Sequence, residues 1–233
     1  MDAPLSPTKP SAGSAHVVWV SCGGCDGCTM SALGATSPRL EELLSGQLTH
    51  FPSVSLIHPA LNLESGERYL DQLRAALRSE LDPFILVVEG SLFDQALAGS
   101  GTFSGLGDED GQPIPVERWV QDLASAATAV IAIGTCATWG GIPAARGNVT
   151  GAMSLTDLLG GDFRSRADLP VINVPGCAPN GDAFIETITY ALLHLGGLVP
   201  LDLDDLNRPR WLYARPVPLQ GADLEWTERA DPA

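Results

Sequence analysis

Three short apolar runs in this chain each end in a small-residue turn that carries cysteine, and that coincidence limits the folds open to it. Residues 16–20 (HVVWV) lead into Cys22-Gly-Gly-Cys25-Asp-Gly-Cys28. Residues 129–133 (AVIAI) lead into Gly134-Thr135-Cys136, and residues 170–174 (PVINV) into Pro175-Gly176-Cys177. Thiols set among glycines add little to packing but are soft donors for iron–sulfur clusters or zinc, and a small-residue loop can wrap its backbone around such a centre. The three turns read as parts of one cluster site.

The rest of the chain supplies the scaffold. Residues 16–20 read as a strand that is buried rather than alternating, residues 54–58 as a second short strand and residues 84–88 (FILVV) as a further buried one. Between the strands, residues 67–80 form an amphipathic helix with Leu70, Leu73 and Leu77 on one stripe, and residues 116–127 and 182–195 are helical. A short helix is expected near residues 155–159. The helical start at residues 29–44 is broken by Pro38, with Ser37 as the cap of the next turn. Residues 100–115, rich in Gly, Asp and Pro, read as a long loop. Short apolar strands alternating with helices predict an α/β fold, a parallel sheet with helices on both faces. Such sheets take ligands beyond the carboxyl ends of their strands, where all three cysteine turns emerge.

Length and composition agree. A chain of 233 residues with 45% hydrophobic side chains can bury a sizeable core in one domain. Residues 1–15 are Pro/Ser/Ala/Gly-rich and read as a disordered tail; residues 16–196 form the domain, and the stretch 197–233 has little periodicity. The net charge of −15 and a single lysine, Lys9, exclude a nucleic-acid binder. No apolar run approaches a membrane span and no export signal is visible, so a cytoplasmic location is expected, with membrane association only through partners. Five cysteines, three within seven positions, suit metal ligation in a reducing compartment better than a disulfide framework.

The nature of the centre follows from how the thiols arrive. Structural zinc commonly uses paired C-x2-4-C knuckles, whereas Cys136 and Cys177 come singly from distant turns. An iron–sulfur cube accommodates separated approaches, and the surrounding glycines offer backbone N–H groups to its sulfurs. A C-x-x-C redox dithiol at Cys25 and Cys28 is the remaining chemical alternative. Asp108, Glu109 and Asp110 lack calcium-loop spacing and read as a solvated turn, while His50 and His58 read as ordinary residues or donors behind the site.

Taken together, the motifs resemble the small subunit of nickel–iron hydrogenases and, more distantly, the B-type subunit of respiratory complex I. The resemblance runs from residue 16 to about residue 213. Its markers are Trp19 ahead of Cys25-Asp-Gly-Cys28, then Met30-Ser31-Ala32-Leu33; Glu89-Gly90; Gly134-Thr135-Cys136-Ala137 with Gly140-Gly141; and Pro175-Gly176-Cys177-Ala178-Pro179-Asn180. It implies a flavodoxin-like domain in which Cys25, Cys28, Cys136 and Cys177 hold one [4Fe-4S] cluster, with [3Fe-4S] as the alternative. It also implies a large-subunit partner bearing the nickel–iron centre, a further electron-carrier protein, and a role in relaying electrons rather than in catalysis by this chain alone. Trp19, Glu89 and Gly90 would neighbour the cluster or the interface, Glu89 either as a satisfied strand-end carboxylate or as part of a proton relay. A hydrogenase-like sensor component and a thiol oxidoreductase are the competing readings.

Three features depart from that pattern. No cysteine follows Cys177 and His194 is the last histidine, so residues 197–233 lack the ligands of the medial and distal clusters. Cys22 is additional, and could replace a ligand, alter cluster type or be a free thiol. Ser91-Leu92-Phe93 stands where the family commonly has a proline.

Overall fold

The computed structural model describes residues 15–46, 54–61 and 66–214. The disorder expected of the leading tail falls on residues outside these, except that Ala15 already belongs to a strand. The first half of the chain contains β1 (Ala15–Ser21), α1 (Gly27–Leu33), α2 (Leu40–Leu44), β2 (Val54–Ile57), α3 (Glu67–Leu77) and β3 (Phe84–Glu89). The second half adds β4 (Gly105–Glu109), β5 (Gln112–Pro115), α4 (Val116–Ala126), β6 (Ala129–Ile133), α5 (Gly134–Trp139), α6 (Leu155–Leu159), β7 (Ile172–Val174), α7 (Gly181–Leu195) and α8 (Arg210–Ala214).

Five strands form one parallel sheet in the order β2-β1-β3-β6-β7, the flavodoxin-like arrangement that the alternating pattern predicts. Every residue of β3 and β6 is buried, because a central parallel strand is covered by helices on both faces. In β1 the faces separate by parity. Val18 and Val20 pack with Tyr69 and Leu73 of α3 and with Val120 and Leu123 of α4. Val17 and Trp19 pack with Ala32 of α1, Leu43 of α2, and Phe184 and Ile188 of α7. The two cores are insulated from one another by the sheet.

Three expectations need correction. Residues 105–115 are not a loop but an antiparallel hairpin, β4–β5, on which Trp119 of α4 is anchored by donating its indole N–H to the Leu106 carbonyl at 2.8 Å. Ser37 caps no helix: α2 begins at Leu40 behind Arg39, whose amide donates to Glu42 Oε2 at 3.0 Å, while the Ser37 amide donates to Asp182 Oδ1 at 3.0 Å. Leu77 is partly exposed, since α3 ends there and the stripe leaves the core. After α7 the described residues, up to 214, run back along the sheet. Leu201, Leu203 and Leu212 pack against the second core, and Asn173 of β7 donates its amide to the Asn207 carbonyl at 2.9 Å. The outer edge of β7 is therefore covered.

Helices α1 and α7 carry or follow cysteine, and their approach depends on one small residue. A Cβ on Gly181 would lie 2.0 Å from the Ser31 carbonyl oxygen and 3.1 Å from the Ala35 amide nitrogen. Backbone cannot yield there without separating the helices. Gly181→Ala is expected to cost about 1–3 kcal/mol through overpacking. A thermal unfolding curve should read this as a loss of about 2–4 °C for each kcal/mol.

Candidate metal centre

The strand order reverses between β1 and β3, and the crevice beyond their carboxyl ends is where a sheet of this order takes its ligand. Cys25 follows β1, and Cys28 lies in the first turn of α1. Cys136 lies in the first turn of α5, directly after β6, and Cys177 follows β7. The last two turns are tied together: the Thr135 amide donates to the Gly176 carbonyl at 2.9 Å, and the Gly176 amide to Thr135 Oγ1 at 3.3 Å.

The thiols feel one another. Burial pushes the Cys28 thiol up, and negative charge on Glu89, Cys136 and Cys25 adds to the effect. Burial also raises Cys136, and negative charge on Cys177 and Cys25 reinforces it. Geometry joins the turns: a Cβ on Gly27 would lie 3.2 Å from Cys25 Sγ and 3.9 Å from the side chain of Ala178, the neighbour of Cys177, and Gly134, two residues before Cys136, lies against Cys28 Sγ. Bringing four thiolates together is unfavourable unless a cationic centre compensates them.

Space around the sulfurs is kept by glycine. A Cβ on Gly134, whose φ of 85° suits glycine, would lie 2.4 Å from Cys28 Sγ, and one on Gly141 would lie 2.6 Å from Cys136 Sγ. Among the described residues, no three His, Cys, Asp or Glu side chains close on a single-ion site. Four soft thiols spread over three turns and cradled by glycine fit a multi-iron cluster, whose ligands bind different irons.

Cys22 stands apart. It continues the even-numbered face of β1 into the first core, and its thiol is pushed up by burial, then by Glu117 and Glu89. It is a free, half-buried thiol on the opposite side of the sheet from Cys28.

Beneath the cysteine turn lies a buried polar network. Glu89 closes β3 opposite Ser21 and is 2% exposed. Its Oε2 accepts from Trp19 Nε1 at 3.1 Å and from the Thr29 hydroxyl at 2.6 Å. Its Oε1 accepts from the amides of Cys28 at 3.0 Å and Thr29 at 3.3 Å. Trp19 and Glu89 are therefore supports under the turn, not surface groups facing a partner. Next along the chain, Gly90 has φ of 94°, which swings Ser91 against Gly23 so that each donates its amide to the other's carbonyl at 2.9 Å.

The comparisons with known proteins fit this geometry. Residues 25–191 match the family described as "NADH ubiquinone oxidoreductase, 20 Kd subunit". The "Hydrogenase-2 small chain" of Escherichia coli K12 is 35% identical over 200 residues, covering 85% of this chain and 47% of that protein. The [NiFeSe] hydrogenase structure from Desulfomicrobium baculatum superposes with TM-score 0.72 at 32% identity, covering 85% of this chain and 70% of that one. The chain belongs to the nickel–iron hydrogenase small-subunit family. The "actinobacterial-type NiFe-hydrogenase" from Ralstonia eutropha H16 is more similar still, with TM-score 0.82 and 41% identity over 87% of this chain and 60% of that one. The chain thus spans about half the length of the E. coli relative.

The stretch Ser91-Leu92-Phe93 uses every backbone amide it has. Ser91 N–H donates to Gly23, Leu92 N–H to Met153 at 3.1 Å, and Phe93 N–H to Glu117 Oε1 at 2.8 Å. All three amides are in use, and proline could supply none of them. Sequence reasoning missed Thr29 and Ser91 and undervalued His58. His50 lies outside the described residues. Asp108 does form a turn, accepting from the Gly111 amide at 2.7 Å.

His58 makes acid stability a direct readout of the network. Burial lowers its pKa from 6.5 to about 4, with Asp26 opposing weakly. The folded ring stays neutral where the unfolded ring binds a proton, so its contribution is complete above about pH 6.5 and is lost as pH falls toward 4. The loss amounts to about 3 kcal/mol at most. Denaturant titrations between pH 7 and 4 should show a steeper fall for the native chain than for His58→Asn.

Proposed function

We propose that this chain is the electron-transfer subunit of a nickel–iron hydrogenase, with Cys25, Cys28, Cys136 and Cys177 as ligands of one iron–sulfur cluster. The supporting observation is that the turns after β1, β6 and β7 carry these four cysteines at one edge of the sheet, with glycines between them, while Cys22 packs against the first core. A [4Fe-4S] cluster held there would take up and release single electrons, and [3Fe-4S] is the alternative. The chain's own residues supply the setting. Burial of Cys28 disfavours added negative charge, and Gly134 and Gly141 keep space open beside the Cys28 and Cys136 sulfurs.

Around the centre the surface is apolar. Met30, two residues after Cys28, is 65% exposed; Trp139 and Ile142, just beyond Cys136, are 45% and 73% exposed. Such a rim suits a large protein partner. In this reading the partner is the hydrogenase large subunit, which splits or forms dihydrogen, and a further carrier protein exchanges electrons with the cluster. No helix among the described residues is long and apolar enough to cross a membrane. The reading includes a cytoplasmic location, where thiols stay reduced for cluster assembly.

Anaerobic purification followed by iron and acid-labile sulfide analysis, with EPR, tests the reading. A zinc protein without sulfide, or one that never co-purifies with a nickel-containing subunit, would sink it. Cys136→Ser is expected to abolish or sharply reduce iron and sulfide. Cys22→Ala should retain both and lose only about 1 kcal/mol of stability, the cost of a small cavity.

A further inference from the structure

His58 has its ring packed 4.9 Å from that of Trp19, and it is 1% exposed. Its Nδ1 accepts from the amides of Ala60 at 3.0 Å and Leu61 at 3.2 Å. A neutral ring carries one proton, so that proton must sit on Nε2, which lies 3.0 Å from Thr29 Oγ1. The Thr29 hydroxyl therefore accepts from His58, and its own single proton goes to Glu89 Oε2. Direction is fixed along the whole chain: the amides of Ala60 and Leu61 set the imidazole, the imidazole sets the hydroxyl, and the hydroxyl sets one oxygen of the carboxylate that holds the Cys28 amide.

We infer that His58 is a positioning residue for the cysteine-held centre, acting through Thr29 and Glu89 on the Cys28 turn and on the reduction potential of the cluster. This rests on the four-cysteine cluster proposed above. A hydroxyl that accepts a hydrogen bond becomes a better donor, so His58 strengthens the Thr29–Glu89 contact and damps the carboxylate's charge. Adding an electron to a cluster near a less damped carboxylate is harder. Losing the His58 donor should therefore lower the midpoint potential.

The substitution that isolates this role is His58→Asn, whose Oδ1 can still accept from the Ala60 and Leu61 amides but whose side chain is too short to reach Thr29. Thr29→Val removes the same link at the next atom, and Thr29→Ser restores it. In the anaerobically purified complex, EPR-monitored titration should give lower midpoint potentials for His58→Asn and Thr29→Val, and the native value for Thr29→Ser. The double variant should shift no further than Thr29→Val alone, because both break one chain. Independently of any metal, hydrogen exchange in the full-length chain should be about tenfold faster at the Cys28 and Thr29 amides in His58→Asn.

Native potential and native exchange in His58→Asn, or additive shifts in the double variant, would overturn the inference while iron and sulfide in the native protein left the cluster reading intact. A native protein without iron and sulfide would overturn both.

Discussion

A carboxylate buried at the end of the third strand is what the site depends on. Removing such a group from water costs several kcal/mol unless its lone pairs are answered. Glu89 has four donors, from Trp19, Cys28 and Thr29, and its carbonyl accepts the Cys22 amide at 2.7 Å. The neighbouring strand, the start of α1 and the cysteine turn are thus all fixed to one residue. Loss of any donor leaves the carboxylate poorly compensated, which makes the arrangement nearly all-or-none. Orientation of Cys28 is a by-product of satisfying Glu89.

Much of this was legible in the sequence because it is local. Apolar runs between glycine-rich turns announce buried strands, and their alternation with helices predicts the parallel sheet. Even the separation of Cys22 from Cys28 is contained in the parity of β1, since Cys22 shares a face with Val18 and Val20 while Trp19 takes the other. The β4–β5 hairpin was hidden because Gly, Asp and Pro give it no alternating apolar pattern. Its strands are held by pairing with each other and by Trp119, not by a buried face of their own.

What lay beyond the sequence is the set of polar residues that meet only after folding. Glu89 was marked at its strand end, but its partners were not: His58 follows β2 and Thr29 lies in α1, and neither has a spacing that marks it. Ser91 looked like a departure from a family pattern, and its meaning appears only when its amide meets Gly23 and its hydroxyl meets the Gly140 carbonyl at 2.8 Å. Residues 199–209 likewise lack periodicity, because they run past β7 as irregular chain secured by individual bonds.

The paired amides of Gly23 and Ser91 carry a consequence for how this protein yields. Parallel pairing of β1 with β3 ends at Ser21 and Glu89, yet the two chains go on exchanging bonds past that point. There is no hinge between sheet and cysteine turn. The mouth of the site cannot breathe while its base stays shut, so the turn shares the lifetime of the central sheet. Reagents that attack without opening the fold would reach the exposed Cys25 and Cys177 first.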